Sequence, residues 1–65
     1  MAAFSQGRRL VEDAVAVARW SEPQRQELRS LLPQLTPDQR EEVIRTLLVS
    51  INSGKMKVEL VGAPF

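Results

Sequence analysis

Two short phrases, Ser21-Glu22-Pro23-Gln24 and Thr36-Pro37-Asp38-Gln39, constrain this chain more than anything else in it. In each, a hydroxyl residue suited to a helix N-cap is followed by a proline in the first turn, where a missing N–H costs nothing. A glutamine three residues after the cap completes a capping box. Each phrase therefore starts a helix, and their spacing of fifteen residues leaves room for only a short one between them. The likeness is helix-start grammar and not duplication, since two copies fall short of the three or so units that a repeat array needs.

The helix begun at Thr36 is the most legible. Val43, Ile44, Leu47, Leu48 and Ile51 gather, at about 100° per residue, into one apolar stripe that must be buried. Asn52-Ser53-Gly54 supplies the exit, with Gly54 suited to the left-handed C′ position and Lys55 and Lys57 beside the negative helix end. Its expected span is 37–53. The helix begun at Ser21 has a narrower stripe of Leu28, Leu31 and Leu32, and Pro33 pushes Leu32 toward extended geometry, so its expected span is 22–32. Leu35, just before the Thr36 cap, is placed as a hydrophobic staple.

Upstream, Leu10, Val11, Ala14, Val15, Val17 and Ala18 form a broad apolar arc of roughly 160° opposite Arg8, Glu12 and Arg19, which predicts a first helix over 8–20. Residues 1–7 read as a loose lead-in, with Ser5 available as a cap. Trp20 reads as a residue covering a loop at the helix end, its indole N–H seeking an acceptor; the competing role is an anchor for a partner.

After Gly54 the period changes. Met56, Val58 and Leu60 alternate with Lys57, Glu59 and Val61, a strand signal over 55–61. No second strand-like run is visible, and a lone strand leaves its N–H and C=O groups unpaired. Its partner is expected to be a second copy of the chain or the sheet edge of another protein, unless it lies as an extended arm across the helices. Two copies paired antiparallel about Val58 set Lys57 against Glu59 and Met56 against Leu60, which is self-complementary in charge and in apolar surface. Residues 62–65 read as a frayed tail unless Phe65 is tucked in.

The expected fold is all-α: a single small domain over residues 1–65, with the two longer helices antiparallel, the short one bridging them, and a C-terminal strand or arm. A domain of 65 residues buries only about 60% of its unfolded surface, so shared burial in a homodimer is expected to help. With no cysteine and no histidine, disulfides, thiolate metal sites and the commonest general base are all excluded. The five serines have nothing to activate them, three glycines make no phosphate loop, and adjacent Glu41 and Glu42 diverge by about 100° on a helix. No catalytic residue, cofactor or metal is expected.

The longest apolar run, residues 14–18, is far short of the roughly 20 residues that cross a bilayer, so no membrane span and no targeting segment is read, and the cytoplasm is expected. The net charge of +1, with acids and bases interleaved, gives no electrostatic reason to expect nucleic acid. A helix-turn-helix reading over 22–53 meets Asp38, Glu41 and Glu42 in the opening turns of its recognition helix, where phosphates would be repelled.

Residues 35–60, through Leu35-Thr36-Pro37-Asp38-Gln39-Arg40, Leu47, Leu48, Ile51 and Lys57-Val58-Glu59, resemble the tail that follows the zinc ribbon in some large serine recombinases. The resemblance covers under half of the chain and implies a capped helix, a glycine turn and a short strand; the serine domain and cysteine ribbon of that family have no counterpart in this sequence. The expected function is a non-catalytic protein–protein interaction module that contacts itself and a larger protein. Leu10, Val15, Trp20, Val49, Met56, Lys57, Val58, Glu59 and Leu60 are the candidate contact residues. The alternative is a DNA-associated accessory protein acting as a small dimer.

Overall fold

A computed structural model describes residues 2–65. In chain order it has helix α1 (Ala2–Val17), strand β1 (Arg19–Ser21), helix α2 (Glu22–Leu31), a 3₁₀ turn (Leu32–Gln34), helix α3 (Pro37–Asn52) and strand β2 (Lys57–Glu59). The molecule is mostly helical, with β1 and β2 forming a two-stranded parallel sheet. No helix among the described residues is long and apolar enough to cross a membrane.

The capping phrases act as their chemistry dictates. Gln39 N–H donates to Thr36 Oγ1 at 3.2 Å and Gln39 Oε1 accepts from Thr36 N–H at 3.0 Å, so the box at α3 is closed. At α2, Gln24 Oε1 accepts from Ser21 N–H at 3.0 Å and also from the Ser21 hydroxyl. The α3 exit is a Schellman motif: Lys55 N–H donates to Ser50 O at 2.9 Å, Gly54 N–H to Ile51 O at 3.1 Å, and Gly54 takes a left-handed φ of 77°.

Three expectations change. Helix α1 already covers Ala2 and does not begin at Arg8, so residues 2–7 of the expected lead-in are helical, with Ser5 among them, while Met1 lies outside the described residues. Gly7, the residue that most favours reading a boundary there, is buried in α1 with its Cα turned toward Val43. At the other end α1 stops at Val17, because Ala18 takes a left-handed φ of 57° and turns Arg19, Trp20 and Ser21 into an extended strand. The expected continuation of helix to Trp20 therefore fails by three residues. Leu32, expected to be extended before Pro33, stays right-handed at φ −52° and ψ −43°, because the chain tightens into a 3₁₀ turn whose first positions tolerate proline.

The largest correction concerns the strand. Its partner is inside the chain: Arg19, Trp20 and Ser21 pair with Lys57, Val58 and Glu59. Lys57 N–H donates to Ala18 O at 2.9 Å, so the left-handed turn at Ala18 also presents the first acceptor of the ladder. The three residues of β1 are too few to show a period in the sequence, whereas β2 lies within the longer alternating run 55–61.

Trp20, Leu28, Leu47, Val11 and Val43 are the largest fully buried side chains. They hold α1, α2 and α3 together, with Leu10, Ala14, Leu35 and Met56 completing the cluster. Leu35 is buried in this cluster, and because Arg40 holds the fourth position of α3, it packs into the core and not as a staple. The C-terminal residues close over this core: Trp20 Nε1 donates to Pro64 O, Arg25 Nη1 donates to Val61 O at 3.2 Å and Ala63 O at 3.3 Å, and Phe65 packs against the cluster. The tail is thus seated and not frayed, and the indole N–H finds the acceptor that burial demands.

Candidate interaction surface

Helix α3 carries more apolar surface than its neighbours cover. Val43 and Leu47 are fully buried and Ser50 is buried beside them, so the core meets that side of the helix. Ile44 and Leu48 lie one residue further round, about 100° away, and escape it. Leu48 is 36% exposed and Val49 is 57% exposed. Together with Pro37, Arg40, Glu41, Ile44, Arg45 and Asn52 they line a shallow groove of about 480 Å³ on the outer side of α3. The expectation of a single buried stripe is corrected here: the stripe is shared between the core and the surface.

The groove has a charged end and a neutral end. Arg45 is paired with Glu41 one turn earlier, and Arg40 reaches back to the carbonyls of Leu32 at 3.4 Å and Leu35 at 3.5 Å. From Thr46 to Gly54 there is no charged residue at all. Charged side chains are absent from the half of the helix where Leu48 and Val49 are exposed, which lowers the cost of covering them.

The predicted contact residues divide. Leu10, Trp20 and Met56 are buried in the core, so they are not available to a partner while the chain is folded; their apolar character is explained by intrachain packing. Val15 and Leu60 are half-buried against the same cluster. Lys57 and Glu59 are exposed and Val58 is half-buried on β2, where Glu59 is held by Arg19 at 2.9 Å across the sheet. The charge match that would pair Lys57 and Glu59 between copies thus has an intrachain competitor. Val49 alone of the nine lines the α3 groove, where Pro37, Ile44 and Leu48 stand beside it. The sequence carries no signal for the last two, because the doublets Val43-Ile44 and Leu47-Leu48 are written like Leu10-Val11 on α1, both members of which are buried.

Elsewhere the polar groups serve structure. Hydrogen bonds from Arg25 hold the Glu22 carboxyl below the usual carboxylate range, with Gln26 assisting. Arg25 is thereby committed to Glu22 and to the C-terminal carbonyls, which removes it from any basic patch with Arg29. Arg8 stacks over the Phe4 ring at 5.7 Å. Glu41 borders the outer groove whereas Glu42 lies with Arg8 and Glu12 between α1 and α3, so the adjacent carboxylates diverge. Among the described residues no group of three or more metal-ligating side chains is assembled.

No family model, curated protein or solved structure matches this chain. The likeness of residues 35–60 to the recombinase tail therefore carries no further argument, and function has to be argued from the surface.

Proposed function

We propose that this protein is a small non-catalytic interaction module, an adaptor, docking or assembly element or regulator whose contact surface is the outer side of α3. The observation that supports the reading is the exposed pair Leu48 and Val49, with half-buried Ile44 beside them, on a helix whose opposite side already fills the core. Scattered exposed apolar residues need no explanation, but an adjoining set in a groove with a charge-free flank favours a macromolecular contact.

A photo-crosslinking side chain at Val49, expressed in the native host, tests this. Adducts at Val49 that are absent from a control at Gln26 on α2 support the reading; no adduct, or equal labelling at both positions, overturns it. The alternative, a DNA-associated dimer, requires duplex binding that weakens steeply with salt. Three of the seven arginines, Arg19, Arg25 and Arg45, are already in ion pairs, which favours the interaction module. Absence of any duplex binding at low salt retires the DNA reading.

A further inference from the structure

We infer that Trp20 and Arg25 form a peptide-binding seat that reads backbone carbonyls, and that the chain's own residues 61–65 occupy it as a displaceable ligand. The seat is separate from the α3 groove, since none of its residues lines that groove. Among the described residues, its polar contacts run from side chains of β1 and α2 to main-chain oxygens. Trp20 Nε1 donates to Pro64 O, and Arg25 Nη1 donates to Val61 O at 3.2 Å and to Ala63 O at 3.3 Å. Every peptide carries such carbonyls, so donors placed in this way accept an extended backbone whether it is tethered or free.

The donor half is preorganised. Trp20 is fully buried on β1, and Glu22 orients the Arg25 guanidinium by accepting from Nη2 at 2.8 Å, which leaves Nη1 for the carbonyls. The occupant, by contrast, has no regular secondary structure after β2, so the cost of ordering falls on the segment, as it does for a flexible ligand. Its sequence states what else fits. Gly62 takes a left-handed φ of 90° that favours glycine, and it lies against Arg25 Nη1, 3.9 Å from where a Cβ would stand. Pro64 brings no N–H that burial would leave unpaired, and Phe65 packs against the core cluster. The partner chemistry is therefore an extended segment of the form Gly-X-Pro-aromatic. Tethering gives the chain's own segment an effective concentration on the order of millimolar, so it holds the seat against dilute competitors.

Trp20 is the only tryptophan, so its indole proton–nitrogen cross-peak reports on the seat. The probe is an N-acetylated, C-amidated peptide of residues 60–65, added to the whole chain. In Gly62→Val/Phe65→Ala, which alters the segment and leaves both donors in place, the cross-peak should move from its wild-type position, and millimolar peptide should return it. The wild-type chain, whose tethered segment competes, should need about tenfold more peptide. Adding Arg25→Met to the double variant should weaken peptide binding about tenfold. If the double variant loses its helical circular dichroism, Phe65→Ala alone takes its place. A cross-peak that peptide at concentrations on the order of 10 mM leaves unmoved, a scrambled peptide that acts equally, equal affinity for the wild-type chain, or indifference to Arg25→Met overturns the proposal.

Discussion

Helices α1 and α3 leave by the same manoeuvre and are written differently. Each ends in a left-handed residue, Ala18 at φ 57° after α1 and Gly54 at φ 77° after α3, and each leads into one of the two strands that pair. Gly54 adopts this geometry at no steric cost, whereas Ala18 carries a Cβ against it, a penalty of roughly 1–2 kcal/mol. The difference teaches where the stabilisation comes from. At α3 the turn is local chemistry; at α1 it is imposed because it seats Trp20 in the core and delivers Ala18 O to Lys57 N–H.

That contrast can be broken most forcefully at Trp20. Truncating a fully buried indole costs about 3–5 kcal/mol, against a total of about 3–10 kcal/mol for a domain of this length. Trp20→Ala should therefore be largely unfolded by thermal or denaturant melting, and a melt close to that of the parent would mean that Trp20 does not impose the Ala18 turn. Gly54→Ala comes next. An added Cβ meets nothing within 4 Å, so the whole cost is backbone strain of about 1 kcal/mol, seen as a lowered denaturation midpoint. Ala18→Gly sharpens the comparison from the opposite side. Because Ala18 is exposed, the change should relieve strain and stabilise by up to about 1 kcal/mol, less the added chain entropy of glycine. Destabilisation there would show that Ala18 contributes packing that its exposure does not suggest.

The smallest effect belongs to the ion pair that joins the strands the two exits deliver. Arg19 and Glu59 are 2.9 Å apart with side chains 63% and 39% exposed. Glu59→Gln should cost no more than about 0.5 kcal/mol, and less still as salt is raised. A loss well above that would mean the sheet depends on the ion pair and not chiefly on the burial of Trp20.

Much of the fold was legible because it is local. The capping boxes at Ser21 and Thr36, the Gly54 exit and the strand character of residues 57–59 all depend on residues within a few positions of one another. What escaped depends on distant ones. Gly7 sits inside α1 because packing against Val43 on α3 favours continuing the helix, and the three residues of β1 form a strand only because β2 lies beside them. The surface was less legible for the same reason. Amphipathic spacing identifies an apolar stripe on α3, but it cannot say how much of that stripe the other two helices are large enough to cover.

Taken by itself, the sequence determined three helices, where two of them start and how the last one ends, since these follow from side-chain identity and short-range hydrogen bonding. Only the tertiary structure decided that Trp20, Leu10 and Met56 belong to the core and that Ile44, Leu48 and Val49 do not. Burial is a property of what stands opposite, and in a chain of three short helices and six strand residues there is enough core to hide one side of α3 but not its whole apolar arc.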